Sequence, residues 1–241
     1  MIENKISGYH ILFIGKEKDP FSEIAANFIS THFPQSEIIF SSKDQSIPER
    51  LFKWKGDLLI SYLAQWIIPK EILINARFAC LNFHPGPPEY PGIGCTNFAI
   101  YDSANEFGIT CHHMLEKVDS GEIVMVKRFP VFKSDTVYSI TQKSYNKILS
   151  AFYDVLHTLM AGKTLPKSDE SWTRKPYLRR QLNDLCRLEI TMSIEEIELR
   201  IKATTYLHPW AYFKINNKKI QLTSEDVKNK EYLKYLNSDF K

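Results

Sequence analysis

The sequence predicts an α/β protein, a Rossmann-like mixed sheet followed by a small C-terminal α+β extension. Three observations carry this. Strand-like and helix-like segments alternate from residue 9 to residue 106, as βα units do. Residues 57–62 (DLLISY) are almost wholly apolar, the pattern of a central parallel strand buried on both faces. Two strand-like runs, 109–115 and 122–130, are then separated by the short turn 117–121, which marks antiparallel neighbours. A long helical segment closes the core, so the sheet is mixed rather than all parallel.

Residues 9–14 are apolar and β-prone, and Gly15 ends them. Phe21, Ile24, Ala25, Phe28 and Ile29 have the spacing of one helix face within residues 20–33. Residues 37–40 give a second strand, 48–54 a short helix, and 69–73 another short helix opened by Pro69. Residues 78–83 read as a buried strand, and 96–106 as a helix with Thr96 at its N-cap. The longest helix is 136–160, capped near Ser134 or Asp135 and stopped by Gly162. Residues 163–177 read as a linker. Beyond it come a short element at 178–185, a helix at 193–203 and strands at 211–215 and 219–222, with Asn216-Asn217 as a tight turn. The expected division is therefore residues 1–162 as a catalytic domain and 163–241 as a small extension. Residues 224–241 are charged and weakly patterned, and their role is not legible.

The chain has 241 residues, a formal net charge of +3 and 44% hydrophobic residues, enough for a full core and too little basic excess for a dedicated nucleic-acid binder. Lys and Arg are frequent near 174–180 and 214–219 but form no single block. Cys80, Cys95, Cys111 and Cys186 show neither zinc spacing nor a disulfide framework, and they read as packed thiols of a cytoplasmic protein. The N-terminus is polar, and no apolar run has the length of a membrane span. The expectation is a protein without membrane, nucleic-acid or metal partners.

The first strand is followed by a single glycine, with neither GxGxxG nor a P-loop. His112 and His113 are adjacent in a strand and face opposite sides, so both cannot easily join His84 at one metal. At least one of the pair is expected to point at the active cleft or a polar edge, and for each a hydrogen-bonded strand histidine is the better reading. Asn82 and His84 are separated by one residue at the end of a strand, so both point to one face, and the proline-rich segment 85–92 stiffens the exit. Alone, they are equally a polar strand end capping a loop. Asp119-Ser120-Gly121, in the turn after 109–115, supplies a carboxylate that can orient an imidazole. Amide, imidazole and carboxylate suit acyl transfer: donors for an oxyanion and a base for the nucleophile. With no GxSxG nucleophile, the acyl group passes directly between two bound substrates.

Asn82-x-His84-Pro85, the loop to Gly92, Gly108-Ile109-Thr110-Cys111-His112 and Asp119-Ser120-Gly121-Glu122-Ile123 together resemble the folate-dependent formyltransferases. The resemblance implies a formyltransferase core with Asn82, His84 and Asp119 as its catalytic trio, N10-formyltetrahydrofolate as donor and an amine as acceptor. It implies a pterin pocket in which backbone groups of Gln65, Trp66 and Ile67 read the pterin edge, bordered by Asp119; the alternative is that Trp66 and its neighbours pack the core. Residues 85–90, with Tyr90 against the acceptor, resemble the sugar N-formyltransferases, particularly those acting on dTDP-linked 4-amino-4,6-dideoxyhexoses. Residues 200–211 resemble the stretch after the catalytic domain of the sugar and tRNA enzymes. Lys202 stands there where an Arg is common, which keeps the cation and loses the bidentate fork. Tyr206, His208 and Trp210 would hold the nucleotide, or equally pack a domain junction. A homodimer through the C-terminal hairpin is expected. A methionyl-tRNA formyltransferase, a formyltetrahydrofolate hydrolase and a non-enzymatic binding module are the alternatives.

Overall fold

The structure, a computed structural model, describes residues 8–215 and 218–228. Six strands form one sheet in the order β2-β1-β3-β4-β5-β6: β1 (Ile11–Lys16), β2 (Glu37–Ser41), β3 (Gly56–Tyr62), β4 (Ala76–His84), β5 (Glu106–His113) and β6 (Ile123–Pro130). The first four are parallel, and β5 turns antiparallel to β4. Helices α1 (Pro20–His32), α2 (Lys70–Leu73) and α3 (Cys95–Tyr101) and a 3-10 turn at Glu49–Lys53 lie between them, and α4 (Val137–Met160) follows β6. Helix α1 begins where the sequence requires it. The Asp19 side chain accepts from the Ser22 N–H at 2.9 Å, and Pro20 occupies the first turn, where its missing N–H costs nothing.

The two-residue period of the strands sorts the core into two layers. Ile11 and Phe13 of β1, Ile60 and Tyr62 of β3, Leu81 and Phe83 of β4, and Ile109 and Cys111 of β5 face α1 and α4. Leu12, Ile14 and Leu59 face the other way, onto Leu51 and α2. Phe152 of α4 sits edge-on to Phe13, Phe28, Tyr62 and Phe83, with ring centroids 5.5–6.2 Å away. Such edge contacts add about 0.5–1.5 kcal/mol each beyond area burial. Asn82 and His84, alternating with Leu81 and Phe83, are thereby turned away from this aromatic core.

The described residues fall into two compact units. The first comprises those through Pro91 with Gly108–Arg128 and Ser144–Lys175; the second comprises Gly92–Phe107, Phe129–Lys143 and those from Pro176 on. This differs from a single boundary at 162/163. Residues 163–175, expected as linker, pack with the first unit because they hydrogen-bond to it: the Ser168 N–H reaches the Ile123 carbonyl at 2.9 Å.

In the second unit, α5 (Arg179–Cys186) and α6 (Ile194–Thr204) accompany a three-stranded sheet of order β7-β8-β9, built from β7 (Arg187–Leu188), β8 (Tyr212–Ile215) and β9 (Lys218–Gln221), with α7 (Ser224–Lys228) after it. Strands β8 and β9 are antiparallel, as expected, while the Asn216-Asn217 turn lies outside the described residues. Arg200 fixes α6 to α5: its guanidinium donates to the carbonyls of Asp184, Leu185 and Arg187 and pairs with Glu196.

Three local expectations change. Helix α3 starts after Gly94, whose φ of 76° is open to glycine and strained for other residues, so Thr96 lies buried inside the helix rather than capping it. The helix ends at Tyr101, and residues 106–108, expected as its tail or beyond, already belong to β5. Phe78 is 47% exposed, so the buried part of β4 is its C-terminal half.

Candidate active site

The site lies in the first unit, where the parallel part of the sheet meets its antiparallel edge. In the β4–β5 register Asn82 pairs with His112, and His84 pairs with Thr110. Cross-strand partners share a face, so all four side chains lie on the side away from the α4 core. His113 pairs with Leu81 and has the opposite parity. This is why one of the two adjacent histidines joins the site and the other does not.

Asp119 is brought over these side chains by the turn between β5 and β6. Its backbone has φ of 43°, in the left-handed region that Asp and Asn tolerate better than most residues. Gly121 allows the turn to close against β5, because a Cβ there would stand 1.8 Å from the His113 carbonyl oxygen. The Asp119 carboxylate is buried, at 5% exposure. One oxygen lies 3.4 Å from His84 Nδ1, and the other lies 3.3 Å from His112 Nε2. The Asn82 amide nitrogen stands 3.1 Å from His112 Nε2 and 3.5 Å from the same carboxylate oxygen. Of these groups the Asn82 amide can donate to the carboxylate as it stands, and each imidazole can do so only with its facing nitrogen protonated.

The hydrogen bonds constrain the protons. His112 Nδ1 faces its neighbour's carbonyl, that of His113, at 2.9 Å, and must donate. Neutral His112 therefore offers a lone pair at Nε2, and the Asn82 NH2 donates to it. His84 Nε2 donates to the Tyr90 carbonyl at 3.0 Å, which leaves Nδ1 toward Asp119. The imidazole of His84 can thus take a second proton at Nδ1 and find a carboxylate already there. The arrangement accepts one proton without exposing charge, as general base chemistry requires.

The loop after β4 is held from several sides. Thr110 Oγ1 donates to the Gly86 carbonyl at 2.8 Å, and Arg128 pairs with Glu89 at 2.9 Å and with Glu170. Those two carboxylates push the Arg128 guanidinium well above its ordinary range, so it is a fixed cation. Tyr90, expected against the acceptor, is half-buried and contributes its carbonyl to His84. Trp172, absent from the sequence-based site, covers the imidazoles: its ring is 5.0 Å from that of His112 and 6.0 Å from that of His84.

Gln65, Trp66 and Ile67 lie in the loop after β3. The Gln65 N–H is taken by Ser41 Oγ at 2.8 Å, and the Trp66 indole N–H donates to the carbonyls of Ser42 and Gln45. The Ile67 side chain is 72% exposed. Of the residues expected to hold a nucleotide, Lys202 donates to the Lys133 carbonyl at 2.9 Å, and Tyr206 packs on Tyr138 at 5.5 Å. His208 and Trp210 are exposed in and after a turn closed by pairing of Thr205 with Pro209. Those four belong to the second unit. Among the described residues, no group of three or more His, Cys, Asp or Glu is arranged to hold a metal ion, and no helix is long and apolar enough to cross a membrane.

The Formyl transferase family profile matches residues 3–156. The methionyl-tRNA formyltransferase of Halalkalibacterium halodurans is 28% identical over 185 residues, which are 75% of this chain and 56% of that protein. The chain spans about half the length of the curated relatives it matches. A sugar N-formyltransferase from a Shewanella species superposes with a TM-score of 0.73 at 19% identity, covering 89% of this chain and 96% of that one. An N-formyltransferase from Helicobacter canadensis, solved with folinic acid and dTDP-3-aminofucose, gives a TM-score of 0.63 at 17% identity over 87% of this chain and 85% of that one. At these identities the superpositions establish the shared fold.

Proposed function

Because the chain belongs to the formyl transferase family, we propose that it moves a formyl group from N10-formyltetrahydrofolate to the amine of a nucleotide-linked amino sugar. One observation carries the reading: a buried carboxylate between two imidazoles, beside an amide, at the end of adjacent strands. The neutral amine attacks the formyl carbon. Asn82 and His84 donate to the tetrahedral oxyanion, with His84 Nε2 exchanging the Tyr90 carbonyl for it. The proton lost by the new ammonium passes to a relayed water held by Asp119 or, through it, to His84 Nδ1, where Asp119 neutralises the imidazolium. As the carbon–N10 bond breaks, that proton returns to N10. Gln65, Trp66 and Ile67 are assigned to the pterin; with the Gln65 N–H already engaged, its contribution would be its carbonyl or side chain. Lys202, Tyr206, His208 and Trp210 are assigned to the nucleotide.

The substrate class draws support from the sugar enzymes among the structural neighbours, one of which was solved with a dTDP-amino sugar. We assign a dTDP-linked 4-amino-4,6-dideoxyhexose as acceptor and a place in cytoplasmic synthesis of a surface polysaccharide. The edge position of β9 suits a homodimer through the hairpin, which sedimentation checks. A panel of nucleotide-linked amino sugars incubated with N10-formyltetrahydrofolate, read by mass for one added formyl group, tests the function. Absence of product with every sugar refutes it. The names of the curated relatives favour a second reading, formylation of methionyl-tRNA. That reading requires tRNA binding that weakens steeply with salt.

A further inference from the structure

We infer that Trp172 is a positioning residue for the two imidazoles, and that residues 168–173 form a strap which keeps water off the formyl group. This rests on the formyl-transfer reading above. The strap is pinned on both sides of the site. Toward β6, the Ser168 N–H reaches the Ile123 carbonyl at 2.9 Å, and the Trp172 indole N–H reaches the Gly121 carbonyl at 2.8 Å. Toward the proline-rich loop, the Thr173 N–H reaches the Pro88 carbonyl at 3.3 Å, and Glu170 meets Arg128, which also holds Glu89.

Between these anchors the Trp172 ring stands nearly perpendicular to His112, at 89°, and at 69° to His84. Edge-to-face rings have a defined preferred geometry, so each imidazole loses freedom to rotate. The indole N–H acts two residues beyond Asp119 and fixes the turn that carries the carboxylate. One side chain therefore sets both partners of the proton transfer. Under it, His84, His112 and Asp119 are 5%, 2% and 5% exposed.

The competing reaction explains the use of the cover. Water attacking the formyl carbon breaks the carbon–N10 bond, leaves a proton on N10 and releases formate. An amine acceptor yields the same folate product, with the formyl group retained on nitrogen. A site that orients a base above an activated formyl group must exclude water until the amine is in place.

The test compares Trp172→Phe, which keeps a ring and loses the N–H, with Trp172→Ala, which loses both. For Trp172→Ala we expect kcat for transfer to fall about 10- to 100-fold, the cost of a slight misplacement, with KM for the donor changed less than about threefold. Formate released without acceptor should rise at least about tenfold relative to transfer, as hydrolysis is no longer excluded. Loss of one neutral hydrogen bond predicts about a fivefold fall for Trp172→Phe, and its melting profile controls for folding. Imidazole nitrogen resonances of His84 and His112 give a readout independent of turnover: both should shift or broaden in Trp172→Ala and shift less in Trp172→Phe. If the wild-type protein transfers no formyl group, the function fails while the resonances still decide the positioning role. Wild-type resonances in Trp172→Ala overturn that role, and an unchanged ratio of formate to transfer overturns the role as cover.

Discussion

Replacing Asp119 by Asn isolates the charge at the centre of the site. The volume is kept, and Asn tolerates the left-handed φ of 43° as Asp does, so the turn should survive. What disappears is the attraction between the carboxylate and an imidazolium formed at His84. Across the observed 3.4 Å that attraction is about 5 kcal/mol at an effective dielectric of about 20. Realised fully in the transition state, it corresponds to a loss of about 4 × 10³-fold in kcat/KM. The assay is the initial rate of formyl transfer to the preferred acceptor, with donor binding measured separately by fluorescence quenching. The rate should collapse, donor affinity should stay within a few-fold, and the melting temperature should hold. A rate within about fivefold of wild type would sink the reasoning, since it would mean that no charge develops beside this carboxylate. Asp119→Ala should be less stable than Asp119→Asn, because Ala lacks the local hydrogen bonding that eases a positive φ.

Other perturbations test the scaffold. Gly121→Ala forces a Cβ to 1.8 Å from the His113 oxygen, so the Asp119 turn must move; transfer should fall more than about tenfold, while nearby amides exchange faster. Phe152→Ala leaves a hole among Phe13, Phe28, Tyr62 and Phe83 and should cost about 3–5 kcal/mol in denaturant unfolding. A cost under about 1 kcal/mol would contradict the packing described. Burial pushes the Cys80 thiol up to about 11, and pushes those of Cys111 and Cys186 upward. The neutral thiol dominates below that range, so native protein at neutral pH should alkylate far more slowly than unfolded protein, and Cys80 labelling should accelerate as pH approaches 11. Rapid labelling of Cys80 at neutral pH would count against its position beneath the Leu73 carbonyl.

Local periods made the strands and most helices legible. The alternation around Leu81 and Phe83 placed Asn82 and His84 on one face from sequence alone, and the short turn after 109–115 brought Asp119 near them. His112 was harder because its role depends on pairing register. Once β5 lies antiparallel to β4 with Asn82 opposite His112, parity decides between the adjacent histidines, but nothing in 109–115 by itself sets that register. Trp172 was not legible because its segment has no helical or strand period and reads as linker; its partners, Gly121 and two histidines, lie far away along the chain. The start of α3 was displaced by the left-handed Gly94, which begins a helix without a side-chain cap.

The interleaving of the two units bears on how the protein can be dissected. A fragment ending at 162 retains every strand of the large sheet yet lacks Ser168, Glu170, Trp172 and Thr173, and with them the bonds to Ile123, Gly121, Pro88 and Arg128. Shortening, fusing or grafting the core at the apparent linker would therefore remove the side chain that covers its histidines. A cut after Lys175 keeps that cover but still divides the second unit, which joins Gly92–Phe107 and Phe129–Lys143 to the residues from Pro176 on.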